Sequence, residues 1–162
     1  MNRLATFAMT AVSLLFVGVA LLAGDGIAQQ RSDNDSVNAA VDAFHAALSN
    51  LDMGKMQNVW AQEPHVVLIN PRDKAPAIGW DAVKKDWQDG VFGFWAELKL
   101  SPKQAPQIHI NQGMASTTGV VGVEGKDKRG QALSFTIIET QVYEKRGDRW
   151  LMVSHHASRV PD

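Results

Sequence analysis

From Gln107 to Val160 the chain is a succession of β-rich runs joined by short polar turns, whereas Val37 to Leu51 carries its apolar residues at helical spacing. Helices first and strands afterwards, without βαβ alternation, restrict the chain to an α+β fold with helices on one face of a bent antiparallel sheet. Val37, Val41, Phe44, Leu48 and Leu51 advance in steps of 4, 3, 4 and 3, which marks one face of a helix that Asp35 or Ser36 can cap. Asp52 caps a short second helix with Met53, Met56 and Trp60 on one side. "HVVLINP" is a buried strand closed by Pro71, and "PRDKAPAIG" is a loop. Trp80, Val83, Trp87, Val91, Phe94 and Leu98 follow helical spacing and predict a third helix, which Gly90 and Gly93 weaken by roughly 1 kcal/mol each. "QIHIN", "ASTTGVVGVEG", "LSFTIIETQVYEK" and "RWLMVSHHASRV" are strands, with "KDKRGQ" and "RGD" as turns.

Before the first of these elements stands "MNRLATFAMTAVSLLFVGVALLAGDGIAQQ": one arginine, a long apolar run, then small residues. That order predicts a secretory signal peptide over residues 1–28, cleaved after Ala28, and a polar linker over 29–35. The apolar run is also long enough for an uncleaved anchor, the competing reading. Either way residues 36–162 are expected outside the cytoplasm, periplasmic or secreted. The sequence has no cysteine, which excludes both a lipid-modified cysteine and disulfide stapling. Stability must come from an ordinary core, supplied by five Trp and four of the six Phe in about 130 mature residues, enough for one domain. A net charge of −1 gives no basic face and argues against a nucleic-acid partner.

The element order, together with Asp52, Trp60, "NPRDKAPAIGWDAV" (70–83), "ETQVYEKRGDRW" (139–150) and "HHAS" (155–158), resembles the nuclear transport factor 2-like superfamily. Its SnoaL-like branch is the nearest in pattern, and the association domain of calmodulin-dependent kinase is also similar. The resemblance covers about residues 36–160 and implies a cone: a curved sheet wrapped around three helices, enclosing a pocket, often paired into a homodimer. It implies no particular reaction, because the superfamily hosts several chemistries.

The adjacent histidines at the end of the last strand are the first candidates. Neighbours on a strand point to opposite faces, so His155 and His156 cannot share a metal ion or act as a mutual acid–base pair. The resemblance aligns its "HxS" ending with His156-Ala157-Ser158, and His156 is taken as the pocket-facing residue, able to hydrogen-bond or move a proton near neutral pH. The plainer role is a hydrogen bond to backbone or to a dimer partner. Glu139 shares a strand face with Gln141 inside an apolar run. It is either a pocket carboxylate with a raised pKa, hence a general base, or an exposed residue paired to a cation. Trp60 and Trp95 are candidates for the pocket wall, while Trp87 reads as plain core. His45 and His65 read as surface or capping residues, His109 as facing away from Ile108 and Ile110, and Asp81 and Asp86 as a solvated helix face.

Arg146-Gly147-Asp148 sits where a tight turn is required, which explains it without adhesion. No serine lies in a G-x-S-x-G elbow, and Walker A, dinucleotide-binding and zinc spacings are absent. The tyrosine and acidic residues of ketosteroid isomerases, and the Asp-Arg-Asp set of epoxide hydrolases of this fold, do not map onto the inward positions; Tyr143 is the sole tyrosine. The first expectation is therefore binding of a small, partly apolar organic molecule, without a cofactor or metal, lined by Trp60, Trp95, Glu139, Gln141 and His156. The alternatives are a cofactor-free lyase or isomerase with His156 or Glu139 as general acid/base, and a dimeric interaction module using the outer sheet face.

Overall fold

The computed structural model describes residues 15–161, with side chains described from Ala28 onward. The described residues fall into two units, divided between Asp33 and Asn34. The expected leader lies mostly outside the described side chains. Among the described residues, no helix is long and apolar enough to cross a membrane.

Helix α1 spans Leu15–Ser49. The backbone is thus helical through residues 29–35, where a linker was expected, and Asp35 and Ser36 lie inside the helix rather than at its start. Short polar residues are tolerated there because they sit largely on exposed turns of the helix. The 4-3-4-3 face is buried as its spacing requires: Val37, Val41, Phe44, Ala47 and Leu48 all lie in the core. Helix α2 spans Met53–Val59, and Asp52 caps it by accepting from the Lys55 backbone N–H at 2.9 Å.

Strand β1 (Val67–Ile69) pairs antiparallel with β2 (Ala77–Ile78). The third helix departs from expectation. Helix α3 covers only Trp80–Lys85 and passes into a π-helical turn, Asp86–Val91, closed by the Phe92 N–H donating to the Trp87 carbonyl at 2.8 Å. Phe94, Trp95 and Leu98 belong to no helix; β3 begins at Trp95 and runs to Pro102. The physical reason is at Gly93, where an added Cβ would lie 2.1 Å from the Asp89 carbonyl oxygen. The chain turns back on itself there so tightly that only glycine fits.

Strands β4 (Gln107–Asn111), β5 (Met114–Asp127), β6 (Ala132–Arg146) and β7 (Arg149–Arg159) follow as the sequence reads. The sheet runs β2-β1-β7-β6-β5-β3, with β4 paired to the first half of β5. All pairings are antiparallel except β1 with β7. Two bulges bend it: one between Trp95 and Glu97 on β3, and one on β7, where Val142 pairs with Ser154 but Tyr143 with Met152, leaving Val153 as the extra residue. The curved sheet folds over Phe44 of α1 and Trp87 of the π turn, which meet edge to face at 5.7 Å and 69°.

Candidate functional site

A cavity of about 390 Å³ opens between the sheet and the π turn. Its walls are mostly apolar: Leu48 from α1, Trp87 and Val91 from the π turn, Trp95, Leu98 and Leu100 from β3, Val123 from β5, and Phe135 and Ile137 from β6. Five polar side chains join them: Asn70, Asp73, Asp86, Glu139 and His155, with Arg72 at the loop after β1. Apolar walls with a few converging polar groups are the usual composition of a small-molecule site.

Glu139 and His155 form the polar side of the cavity. Glu139 is only 4% exposed, and its Oε1 accepts from His45 Nε2 at 2.7 Å. Its Oε2 has no hydrogen-bond partner among the described residues. His155 is 2% exposed and packs between Phe44 (ring centroids 4.9 Å) and Trp87 (6.0 Å). Burial in this aromatic setting lowers its pKa to about 4; the Glu139 charge opposes that shift, and His45 and His156 reinforce it. His155 is therefore a neutral imidazole at pH 7, able to donate through one ring nitrogen and accept through the other. Its Nδ1 also has no partner among the described residues. Buried polar atoms are nearly always paired; these two, on residues that line the cavity, are a polar demand that the described residues do not meet.

The rim carries a second polar cluster. Asn70 donates through Nδ2 to Asp86 Oδ2 at 2.6 Å and through its backbone N–H to Asp73 Oδ2 at 2.5 Å. Partial burial, then the neighbouring Asp73 charge, raise the Asp86 pKa, and the Asn70 hydrogen bond counteracts them. Among the described residues no group of three or more His, Asp or Glu is placed to hold a metal ion.

Several sequence expectations change here. His156, expected to face the pocket, is exposed on the outer face, and His155 takes its place. The bulge at Val153 is the cause. Before it, Trp150 and Met152 point inward; after it, Val153, His155 and Ala157 do, so the alternation changes phase within one strand. Trp60 is buried but lines no part of the cavity: it bridges to Met152 and packs against Trp87 at 6.4 Å, in the core beside α2. Gln141 is fully buried, yet its Oε1 is used inside the core, accepting from Thr117 Oγ1 at 3.0 Å and from Tyr143 Oη at 2.8 Å. Trp95 does line the cavity, from a strand rather than a helix. Trp87 and Asp86, read as core and as solvated face, both line it because the π turn rotates them toward the sheet.

His45 is the residue that sequence reasoning missed. It is buried against Glu139 instead of lying on the surface. One signal was available: His45 follows Val41 by one helical turn and so flanks the apolar face. His65 is exposed beside Glu63 and Glu144, and His109 is exposed as expected.

Comparison with known proteins agrees with this architecture. Residues 37–162 match the family model of the SnoaL-like domain. Among solved structures, a nuclear transport factor 2-like superfamily protein from Salmonella enterica is similar with a TM-score of 0.75 and 17% identity, over 83% of this chain and 94% of that one. A protein assigned as a calcium/calmodulin-dependent protein kinase type II association domain, from Thiobacillus denitrificans, is 31% identical over 76% of this chain and 94% of that one, with a TM-score of 0.60. A hexachlorocyclohexane dehydrochlorinase from Novosphingobium barchaimii shares the fold with a TM-score of 0.70 at 10% identity, over 82% of this chain and 89% of that one. Among proteins of curated function, none matches this sequence. The chain belongs to the SnoaL-like domain family of the nuclear transport factor 2-like superfamily.

Proposed function

We propose that the chain binds a small, partly apolar organic molecule in the cavity between the sheet and the π turn. The observation that carries this reading is the pair Glu139 and His155, each more than nine-tenths buried and each with an unpartnered polar atom, set in walls that are mostly apolar. Such a pair costs stability in an empty apolar cavity and is compensated by a bound molecule that offers a donor to Glu139 and a donor or acceptor to His155. Export belongs to the same proposal, supported by the leader-like order of residues 1–28. So does a homodimer through the outer sheet face, where Ile138 is exposed.

Native mass spectrometry of the protein purified under mild conditions tests the reading. A discrete extra mass is expected on the wild type and not on Ala157→Phe, which fills the cavity beside His155. An extra mass that survives Ala157→Phe would place the ligand elsewhere and sink this assignment.

A second reading rests on the His45–Glu139 hydrogen bond. A carboxylate held at one oxygen and free at the other is arranged to take a proton from a carbon acid in the cavity, while neutral His155 hydrogen-bonds the developing oxyanion or leaving group. Glu139 and His155 then carry the role foreseen for Glu139 and His156. That the fold accommodates a dehydrochlorinase supports such proton abstraction. Glu139→Gln should abolish turnover of a substrate found by screening while ligand retention persists; full turnover in this variant would eliminate the proton-transfer role.

A further inference from the structure

Beside the cavity lies a second chamber of about 330 Å³ that shares Pro71, Arg72, Trp95 and Phe135 with it. The two chambers differ in charge. The inner one holds Asp73, Asp86 and Glu139 against the shared Arg72. The outer one holds Arg72, Arg129 and Arg159 against a single acid, Asp127.

Asp127 is already saturated. Its Oδ1 accepts from the backbone N–H groups of Arg129 and Gln131 at 2.9 Å each, and its Oδ2 accepts from Arg129 Nε at 3.0 Å and forms an ion pair with Nη2 at 3.0 Å. Arg129 and Asp127 therefore cancel. Arg72 and Arg159 are left without a carboxylate partner among the described residues. Instead each guanidinium lies over an aromatic ring: Arg72 over Phe94 at 3.7 Å and Arg159 over Phe135 at 4.6 Å from the centroids. Stacking on a ring face holds the guanidinium plane and leaves its in-plane N–H donors available to an anion.

Their meeting is built into the fold. β1 and β7 are the parallel pair, with Ile69 opposite His156. Parallel strands end at the same edge, so the third residue beyond each register partner, Arg72 and Arg159, emerges at the same lip of the cavity.

We propose that the ligand of this site carries a carboxylate or similar anionic group, received by Arg72 and Arg159 in the outer chamber, with its apolar body in the inner one. The inference rests on the binding reading above and adds the ligand's chemical class: a small acid with a mostly apolar body, whose far end carries the hydrogen-bonding group that Glu139 and His155 require. Preorganised guanidiniums favour the anion through charge-assisted hydrogen bonds, which are roughly twice as strong as neutral ones. The acidic inner chamber sets the orientation by repelling the anionic end.

The test uses the full chain and two matched probes, 4-(4-hydroxyphenyl)butyrate and 4-(4-hydroxyphenyl)butanol, whose phenol supplies the donor for Glu139, titrated by calorimetry. The acid is expected to bind about tenfold more tightly than the alcohol, as one well-placed charge-assisted contact allows. In the double variant Arg72→Gln/Arg159→Gln, checked for folding by circular dichroism, that ratio should fall to about one. A readout that needs no variant is salt: raising it from about 50 mM to about 500 mM should weaken the acid and not the alcohol. Equal affinity of the two probes for the wild type, or a preference that survives the double variant, overturns the anionic assignment and leaves the cavity reading standing. Binding of neither probe overturns both.

Discussion

His155 makes the acid stability of this protein predictable in size and sign. In the fold it is buried between Phe44 and Trp87 and its pKa is lowered to about 4; in the unfolded chain it returns to the ordinary 6.5. Between those values the unfolded state binds more protons than the folded one, so stability falls as the pH drops from 6.5 toward 4 and is level on either side of that window for this group. Linkage gives about 1.4 kcal/mol per pH unit, hence about 2 kcal/mol lost on going from about pH 7 to about pH 5. The groups around the ring are Glu139 on β6, His45 on α1 and His156 on the same strand. The perturbation is His155→Leu, close in size and without a proton to bind. Its own cost in lost packing is removed by comparing each protein with itself at the two pH values. Urea unfolding followed by tryptophan fluorescence should show the wild type losing about 2 kcal/mol more than the variant between about pH 7 and about pH 5. Equal losses in the two proteins would refute the reasoning, because the acid sensitivity would then belong to other groups and His155 would titrate normally in the fold.

Two further outcomes follow from the packing. Gly93→Ala places a methyl group 2.1 Å from the Asp89 carbonyl oxygen, so the π turn must open; a loss of roughly 1–3 kcal/mol is expected in chemical denaturation, together with weaker ligand binding as Trp87 and Asp86 shift. Gln141→Leu removes the acceptor shared by Thr117 and Tyr143 and strands two buried hydroxyls, costing about 1–3 kcal/mol by the same assay, while the acid-to-alcohol binding ratio stays at its wild-type value.

What could be read in advance divides by the range of the interaction. The 4-3-4-3 spacing from Val37 to Leu51 required a buried helix face, and all of those residues but the half-buried Leu51 lie in the core. The Asp52 cap and the turns near Gly130 and Gly147, both at positive φ, were legible for the same reason: their chemistry lies within a few residues. The third helix was misjudged because its apolar period continues through Leu98, although the backbone cannot. Gly93 ends it through a contact that periodicity does not report.

The site was less legible. Glu139, singled out as a lone acid in an apolar run, and Trp95 both line the cavity. His45 was passed over because its partner Glu139 is 94 residues away, and nothing local to a helix announces a hydrogen bond across that distance. Gln141 shared the strand face of Glu139, but whether an inward polar group meets a cavity or a neighbouring Tyr143 depends on where the helices stop covering the sheet.

Sequence by itself determined the class of fold, the order of its elements, the helix face that enters the core and the absence of disulfides, all consequences of local periodicity, turn chemistry and composition. Tertiary structure alone decided which histidine enters the cavity and what surrounds it. One extra residue on β7, Val153, reverses the inward face halfway along the strand and sends His155 inside and His156 out. Strand alternation is strict only while the register holds, and register is a property of two strands together, so neither strand's sequence contains it.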